Sequence, residues 1–461
     1  MPVNSFENYP MTWKPVIDRS VKSIYLSLAN QLEQDIIGGT LLPGTKLPPQ
    51  RELADFLDIN VSTVSKAFKV CELKGLLSAT IGSGTFVSFD ALANAYLLTE
   101  GGLQSLIEMG ATIPEASSNK TLMLQLKNMV NEPNSCRWFN YNRPSDTLWQ
   151  KDAAVMLMKK CGYDTDRESI LFSNGGQNAI TAILAGLFKY GDKIGVDPHT
   201  YSGVKTSAAM LGIQLVPIKQ SHNEMSEDAL IYACKNENLK GIYLIPGYQN
   251  PTTHIMSLAR RKVLGQIAEE HNILVIEDGT YHLMSEPISA VASFASERTI
   301  YIASLSKSVA PGLRLAYVSV PKMYKIPLSK ALYNMNVSVS PLMAELSARL
   351  IVSGKINDII EKHKKNTIER NKMVNEYLSQ YDCRGDEKCI FRWLYLPTNV
   401  TGTKFEALAL EHGVQVYAAE RFAVGNTIPE KAVRLAICAP ETVEELKRGL
   451  KILQQLLYSL K

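Results

Sequence analysis

Short apolar runs alternate with stretches long enough for helices from about residue 140 onward, and this alternation constrains the fold more than any other feature. Strands separated in this way pair mainly in parallel, because a parallel connection needs a crossover segment, and helices then cover both faces of the sheet. The apolar runs are residues 170–172, 193–196, 215–217, 241–245, 273–276 and 299–302. After about residue 325 the chain is more helical, with strand-like pieces at 414–417 and 432–437. The sequence therefore predicts a large α/β part followed by a smaller α+β part.

Residues 20–87 have a different pattern and are predicted to fold as a separate unit. Apolar residues recur at helical spacing over residues 24–36, and a second, short helix is expected at residues 50–57. A third helix follows Asn60, a residue type that often precedes the first turn of a helix. Residues 76–87 alternate around a glycine-rich centre, which indicates a hairpin. This order of three helices and a hairpin is that of a winged helix-turn-helix.

The third helix carries the features of a DNA-recognition helix. Its predicted outward face bears Ser62, Thr63, Lys66 and Lys69, whose hydroxyls and long cations reach bases and phosphates in a major groove. The alternative is a protein-docking module. Residues 1–90 contain 8 Lys and Arg against 9 Asp and Glu, a net charge of −1, and the whole chain carries only +4. Any DNA-binding face must therefore be a local one.

The sequence LPPQRELADFLDINVSTVSKAFKVCELKGLL, followed by GSGTFV, resembles the N-terminal domain of GntR-type transcription regulators over nearly all of residues 20–87. The family often has Ser-Arg at the start of the recognition helix, where this sequence has Asn60 and Val61. The resemblance implies binding to double-stranded promoter DNA. It implies these DNA contacts: Arg51, Ser62, Thr63, Lys66, Gly84 and Thr85.

A second group of motifs centres on a lysine. The motif SLSK, from Ser304 to Lys307, directly follows the predicted strand at 299–302, and Arg314 lies seven residues beyond the lysine. Such an amine can form a Schiff base with a phosphorylated aldehyde cofactor, because neighbouring cations lower its pKa and hydroxyls bind the phosphate.

Other polar motifs follow the predicted strands of the same α/β part. The sequence SNGGQ at 173–177 opens a helix, whose first backbone N–H groups can bind a phosphate. Asp278 ends another strand, where its carboxylate could hold a pyridinium N–H. Tyr201, Asn250 and Tyr281 also follow predicted strands. Open α/β sheets bind ligands at the carboxyl ends of their strands, so we expect these residues to converge there.

Together these motifs resemble the fold-type I pyridoxal 5'-phosphate-dependent aminotransferases over roughly residues 107–461. The family's usual Asn-Pro-Thr-Gly is Asn-Pro-Thr-Thr here, ending at Thr253, and Ser145 replaces its usual glycine after Pro144. The roles that the resemblance implies are Lys307 as the aldimine lysine; Asp278 on the ring nitrogen; Asn250 and Tyr281 on the ring 3-oxygen; Tyr201 stacked on the ring; Gly176, Gln177, Ser304 and Arg314 on the phosphate; Tyr141 on the phosphate of a partner subunit; and Arg434 on an effector carboxylate.

A GntR-like winged helix joined to an aminotransferase-like domain resembles the MocR subfamily of bacterial transcription regulators. The resemblance implies a homodimer that binds promoter DNA and senses a small amine or amino acid, with at most weak transaminase activity. Two alternatives remain: an active aminotransferase with a DNA-binding appendage, and a sensor of pyridoxal phosphate alone. The expected domains are residues 1–88, a linker at 89–118, and an effector domain at 119–461, divided at about 328.

Other classes of site and location are not indicated. No apolar run approaches the roughly 18 residues of a membrane span, and the N-terminus lacks the pattern of a signal peptide, so we expect a cytoplasmic protein without a membrane partner. The 7 cysteines are scattered without a CxxC motif and the 7 histidines without HExxH, so neither a disulfide framework nor a metal site is expected. The run KHKK at 362–365 is expected to be a solvated helix face.

Overall fold

The N-terminal unit consists of three helices and a hairpin. A computed structural model of the chain describes residues 11–17, 23–37, 40–80, 84–88, 106–141 and 144–460. The helices are α1 (Ile24–Ile37), α2 (Gln50–Leu57) and α3 (Val61–Leu73), and the strands β1 (Leu77–Thr80) and β2 (Gly84–Val87) pair antiparallel. The prediction of a winged helix-turn-helix is confirmed; residues 81–83, at the predicted hairpin tip, lie outside the described residues.

Local chemistry explains where these elements begin and pair. The side chain of Asn60 accepts a hydrogen bond from the backbone N–H of Ser62 at 2.8 Å, which satisfies a free donor at the start of α3. The backbone N–H of Leu47 donates to the Thr85 carbonyl at 2.8 Å, so the chain before α2 pairs with β2 of the hairpin. The core of this unit includes the buried residues Leu28, Leu32, Leu53, Val64 and Phe68.

The rest of the chain contains a large sheet, a smaller sheet and the helices that cover them. The remaining strands are β3 (Ile107–Glu108), β4 (Ile170–Ser173), β5 (Lys193–Val196), β6 (Gln214–Pro217), β7 (Gln220–Ser221), β8 (Glu224–Met225), β9 (Leu239–Leu244), β10 (Leu274–Asp278), β11 (Thr299–Ser304), β12 (Ala316–Ser319), β13 (Cys383–Arg384), β14 (Phe391–Tyr395), β15 (Val414–Gln415), β16 (Tyr417–Ala418) and β17 (Ala432–Ala436). The remaining helices are α4 (Asn119–Val130), α5 (Pro144–Lys160), α6 (Gly176–Leu187), α7 (Ser202–Met210), α8 (Glu227–Asn236), α9 (Leu258–Glu270), α10 (Lys322–Asn336), α11 (Pro341–Val352), α12 (Lys355–Tyr377), α13 (Gly402–Glu411) and α14 (Val443–Ser459).

The large sheet has seven strands in the order β4-β12-β11-β10-β9-β5-β6. Only β12 runs antiparallel to its two neighbours, so the prediction of a mainly parallel sheet is confirmed. The carboxyl ends of β4, β9, β10 and β11 therefore lie at the same edge. Because parallel strands are buried on both faces, polar side chains gather at this edge.

The C-terminal part is built on a four-stranded sheet in the order β13-β14-β17-β16. Its strands pair antiparallel, and Trp393 on β14 lies opposite Arg434 on β17. Next to this sheet, β15 pairs in parallel with β3, which lies within the segment predicted as a linker. The predicted linker therefore contains a strand that returns to the C-terminal part, while its residues 89–105 lie outside the described residues.

The prediction that residues 362–365 form a solvated helix face is wrong for the histidine. His363 on α12 is 1% exposed, and its ring nitrogen Nδ1 lies 3.0 Å from the backbone oxygen of Ser308. The helical period turns this one position inward, whereas Lys362 and Lys365 are exposed. Within the described part of the chain, no helix has both the length and the apolar character needed to cross a membrane.

Candidate functional site

A cavity of about 180 Å³ opens at the carboxyl edge of the large sheet. It brings together all the predicted cofactor-binding residues except Tyr141. The predicted residues in its lining are Gly176, Gln177, Tyr201, Asn250, Asp278, Tyr281, Ser304, Lys307 and Arg314. The lining also contains Ser306, a hydroxyl of the predicted SLSK motif, and five residues that the sequence did not single out as functional: Thr112, Ile180, Ile245, Thr280 and Pro311.

Lys307 follows β11 and presents its amine to this cavity. The Nζ atom donates a hydrogen bond to the backbone oxygen of Thr112. Burial away from water disfavours the ammonium form and lowers the pKa of Lys307 to about 8. The positive charges of Arg434 and Arg314 act in the same direction. About a tenth of this lysine is therefore an uncharged, nucleophilic amine at about pH 7.

Asp278, the last residue of β10, is buried at the floor of the site. The hydroxyl of Tyr243 on the neighbouring β9 donates to its Oδ2 at 2.8 Å. The backbone N–H of Thr280 donates to Oδ1 at 3.1 Å, and the Thr280 hydroxyl donates to the same oxygen. Burial raises the pKa of Asp278, and these hydrogen bonds act against that rise. The result is a fixed acceptor for a cationic N–H.

The opposite side of the cavity is suited to an anion. Helix α6 begins at Gly176, after Gly175 with a φ of 90°, so the first N–H groups of the helix lie at the cavity. The guanidinium of Arg314 donates to the backbone oxygen of Asn174 at 3.2 Å, beside this helix start. The buried Ser306 hydroxyl has no hydrogen-bond partner among the described residues. A phosphate would satisfy these donors together.

Arg434 on β17 lies next to the cavity and is 4% exposed. Its Nη1 donates to Asn250 Oδ1 at 2.5 Å and its Nη2 to the backbone oxygen of Gly110 at 2.6 Å. The rings of Phe391, Tyr417 and Phe422 surround the guanidinium, with centroids 5.8, 5.4 and 4.7 Å away. The Nε atom has no hydrogen-bond partner among the described residues. A planar cation held in this way can accept a carboxylate in two-point contact.

The residues predicted to contact DNA lie on the winged helix and do not line the cavity. Ser62 and Lys66 are exposed and lie four residues apart on α3, so they share one face of the helix. The Ser65 hydroxyl donates to Gln50 Oε1 at 2.6 Å, which fixes the start of α2, where the exposed Arg51 lies, against α3. The other predicted contacts are Thr63 on α3 and Gly84 and Thr85 on β2, which are half-buried, exposed and half-buried, respectively.

Two protein families match different parts of the chain. Residues 138–453 match the family described as aminotransferase class I and II. The chain belongs to the aminotransferase class I and II family. Residues 24–87 match the bacterial regulatory proteins of the gntR family. The prediction that a GntR-type domain is joined to an aminotransferase domain is therefore confirmed, and this combination agrees with the MocR resemblance.

Relatives that match nearly the whole chain carry regulator names. The chain is 62% identical over 458 residues to the uncharacterized HTH-type transcriptional regulator YdeF of Bacillus subtilis (strain 168), covering 99% of both chains. It is 24% identical over 475 residues to the uncharacterized HTH-type transcriptional regulator YjiR of Escherichia coli (strain K12), covering 94% of this chain and 98% of that protein.

Solved structures of aminotransferases share the fold. An archaeal alanine:glyoxylate aminotransferase superposes with a TM-score of 0.71 at 21% identity, covering 80% of this chain and 94% of its own. The α-aminoadipate aminotransferase LysN of Thermus thermophilus, complexed with N-(5'-phosphopyridoxyl)-L-leucine, has a TM-score of 0.70 at 21% identity. The match covers 80% of this chain and 95% of the LysN chain. At this identity the likeness shows the aminotransferase fold alone.

Two predicted features of the aminotransferase site have unexpected surroundings. Tyr141 is 75% exposed and does not line the cavity of its own chain, and the next two residues lie outside the described residues. Thr253, which stands where the resemblance leads us to expect glycine, is buried with a φ of 68°. A β-branched residue rarely adopts this left-handed conformation, so the loop retains the backbone shape that glycine allows.

Sequence reasoning missed several residues of the aminotransferase site. Thr280 could have been found, because it comes two residues after Asp278 and its hydroxyl can reach back to that carboxylate. Tyr243 lies beside Asp278 only through the pairing of β9 with β10. Thr112 gives no signal, because it is 195 residues from Lys307 in the chain and belongs to no motif. Only the fold brings it to the amine.

Proposed function

We propose that this protein is a pyridoxal 5'-phosphate-dependent transcription regulator. Its winged helix binds promoter DNA, and the cavity around Lys307 holds the cofactor and a small amine or amino-acid effector. The observation that carries the proposal is the convergence of Lys307, Asp278 and Arg314 on one cavity in a chain that also contains a GntR-type domain. A DNA-binding regulator of this kind acts in the cytoplasm, where bacterial DNA lies.

The residues of the cavity fit pyridoxal phosphate by their donor and acceptor chemistry. The start of α6, Arg314 and the Ser306 hydroxyl, which has no partner among the described residues, suit the phosphate. Asp278 suits the ring nitrogen, and Lys307 suits the aldehyde. When bound, the cofactor supplies an aldehyde that combines reversibly with primary amines and a ring that withdraws electrons from the adjoining carbon.

The chain's own residues define what an effector must contain. The lowered pKa of Lys307, about 8, leaves part of its amine in the uncharged form that would bond to the aldehyde, and an effector that replaces Lys307 there needs a primary amine of its own. Asp278 keeps a proton on a bound ring nitrogen, because its buried carboxylate is held in place by three donors. Arg434 exchanges its neutral acceptors, Asn250 and Gly110, for a carboxylate. An effector with both an amine and a carboxylate uses both sites.

These two anchors come from different parts of the effector domain. Lys307 follows β11 of the large sheet, and Arg434 lies on β17 of the smaller sheet. A ligand that binds both favours the arrangement in which the distance between them fits, and it shifts the equilibrium only by its difference in affinity for the two arrangements. In this way binding of the proposed effector changes how the two parts of the effector domain are arranged.

We further propose that the regulator is a homodimer with domains at 1–88 and 119–461 joined through residues 89–118. In the dimer, the exposed Tyr141 reaches the phosphate site of the other copy, which accounts for its position outside its own cavity. Two winged helices can then contact two half-sites of an operator.

The experiment that tests the proposal uses the full-length protein in two parallel measurements. Pyridoxal phosphate is added, the complex is reduced with borohydride, and the modified peptide is identified by mass spectrometry. Binding to DNA from the protein's own promoter region is measured by gel shift. We expect the cofactor on Lys307 and salt-sensitive binding to the promoter. A cofactor linked to another lysine, or DNA binding no tighter than to unrelated DNA, would contradict the proposal.

An active aminotransferase is the second candidate function. The observation in its favour is the lowered pKa of Lys307, because an uncharged amine in the cavity can accept a proton from the α-carbon of an amino acid. Turnover also needs productive alignment and a freely exchanging pocket. A steady-state assay with amino acids and a 2-oxo acid distinguishes the two, and the regulator proposal predicts slow or absent turnover.

A further inference from the structure

A single segment, residues 109–117, passes the cavity, which its Thr112 lines, and we call this segment the strap. It is anchored at its start, where the backbone N–H of Met109 donates to the Gln415 carbonyl at 2.9 Å beside the β3–β15 pair. It is anchored at its end, where Asn366 on α12 donates to Glu115 at 3.1 Å. Between these anchors it passes the two residues that the proposed function assigns to ligands.

The middle of the strap is held by those two residues. The backbone oxygen of Gly110 accepts from Arg434 at 2.6 Å, and the backbone oxygen of Thr112 accepts from the amine of Lys307. The Thr112 hydroxyl also lies 3.5 Å from the hydroxyl of Tyr281, at the limit of a hydrogen bond. Two of the contacts on the middle of the strap therefore come from basic side chains that a ligand can engage.

The bond from Lys307 to Thr112 depends on the hydrogens of a free amine. When Lys307 condenses with an aldehyde, its nitrogen forms a C=N bond, and the two amine hydrogens leave with the aldehyde oxygen as water. The nitrogen then keeps at most one hydrogen and is held at the aldehyde carbon. When another primary amine takes over that carbon, its two hydrogens pass to Lys307, which again has a free amine that can donate to Thr112.

We propose that the Thr112 carbonyl senses the chemical state of Lys307 and that the middle of the strap responds to this state. The strap is docked when Lys307 carries a free amine and released when Lys307 is bonded to the cofactor. An amine effector therefore docks the strap again. The inference rests on the proposed function, since it requires the cofactor to react with Lys307.

The fixed ends of the strap confine its response to the middle. Its two ends are bound to β15 and α12, so release of the middle changes the path of the chain between fixed points. Ile113, directly after Thr112, is already 41% exposed, so movement at this position does not uncover its side chain.

Hydrogen exchange in the full-length protein tests the proposal with two cofactor forms. Pyridoxal 5'-phosphate can bond to Lys307, whereas pyridoxamine 5'-phosphate has the same ring and phosphate but no aldehyde. Exchange is followed in peptides covering residues 107–117, where the N–H groups of Gly110 and Ala111 both donate to Glu108 at 2.6 and 2.8 Å. We expect exchange to be about tenfold faster with pyridoxal phosphate, because the strap loses a hydrogen bond to a charged donor.

Two variants separate this mechanism from a general effect of cofactor binding. In Lys307→Ala, exchange should be fast with both cofactor forms. Lys362→Ala is the matched control, since Lys362 also donates to a strap carbonyl, that of Ser117 at 3.3 Å, but does not line the cavity. It should keep the full difference between the two forms.

The outcomes distinguish this inference from the proposed function. If borohydride links pyridoxal phosphate to Lys307 and yet both cofactor forms give the same exchange, the strap proposal is overturned and the proposed function stands. If pyridoxal phosphate does not bond to Lys307 at all, both are overturned. A difference that survives in Lys307→Ala also overturns the strap proposal, because the effect then comes from elsewhere.

Discussion

The guanidinium of Arg434 donates to the side-chain oxygen of Asn250 at 2.5 Å, and this bond links β17 of the smaller sheet to the loop that follows β9 of the large sheet. The acceptor is a neutral amide, and so is the second acceptor, the backbone oxygen of Gly110. A ligand carboxylate offers a charged, bidentate acceptor instead, which binds an arginine more strongly. Arg434 is thus held in place by partners that a carboxylate can replace.

Replacing Arg434 with lysine should selectively weaken ligands that carry a carboxylate. Lysine keeps the charge but loses the planar fork, so we expect the affinity of an amino acid to fall by about tenfold or more. Affinity is measured through the absorbance of the cofactor, for the amino acid that shifts it most and for the amine that lacks only its carboxylate. The amine is the internal control and should bind both proteins equally. An equal loss for both ligands would show that Arg434 has only a structural role.

The reaction of Lys307 with pyridoxal phosphate should depend on pH in a characteristic range. Burial lowers the pKa of Lys307 to about 8, so its nucleophilic form increases about tenfold per pH unit below that value and levels off above it. Initial rates are measured by absorbance from about pH 6 to about pH 10. The reaction of the cofactor with N-acetyl-lysine is the control for changes in the aldehyde itself. Relative to this control, the rate should fall above about pH 8, because the control amine keeps the ordinary lysine pKa of about 10.4. A ratio of the two rates that stays constant up to about pH 10 would contradict the lowered pKa.

The residues that could be predicted from sequence are those that follow a strand directly. Asp278 ends β10 and Lys307 comes three residues after β11, so the alternation of strands and helices was sufficient to place them at one sheet edge. The winged helix could be predicted for a similar reason, since its helices have regular apolar spacing and Asn60 caps α3. In both cases the signal lies within a few residues of the element concerned.

The residues that could not be predicted depend on long-range contacts. Thr112 reaches Lys307, and Gly110 reaches Arg434, because β3 pairs with β15 over 300 residues later in the chain. Composition near these positions gives no sign of this pairing. His363 was misjudged for a local reason, because a run of four charged or polar residues spans more than one face of a helix.

Replacing Gly175 with alanine should weaken the phosphate site. A Cβ at this position would lie 2.7 Å from Nη2 of Arg314, and the φ of 90° is one that alanine rarely adopts. We expect the affinity for pyridoxal phosphate to fall by about tenfold, while the affinity for pyridoxal, which lacks the phosphate, changes little. Gly312→Ala is the matched control, since a Cβ there meets nothing within 4 Å. Equal losses for pyridoxal and its phosphate would place the defect outside the phosphate site.

Single alanine replacements on the winged helix should identify its DNA-binding face. Lys66 and Arg51 are exposed, and loss of either cation would remove one predicted phosphate or base contact. We expect each variant to bind the protein's own promoter region about tenfold more weakly, and loss of a phosphate contact to reduce the salt slope by about one. Lys74→Ala is the control, because the Lys74 amine donates to Glu33 at 2.6 Å within the same unit. Unchanged affinity in both Lys66→Ala and Arg51→Ala would exclude this face.

The central claim is that a ligand in the Lys307 cavity alters DNA binding, and it is tested by measuring promoter affinity of the cofactor-loaded protein with each of the common amino acids in turn. The account predicts that at least one of them changes this affinity by about 5- to 150-fold, which is the usual range of coupling between two sites on one protein. The same amino acid should have no effect on Lys307→Ala. If no amino acid changes the affinity of the wild-type protein, or if Lys307→Ala responds as the wild type does, the claim is wrong.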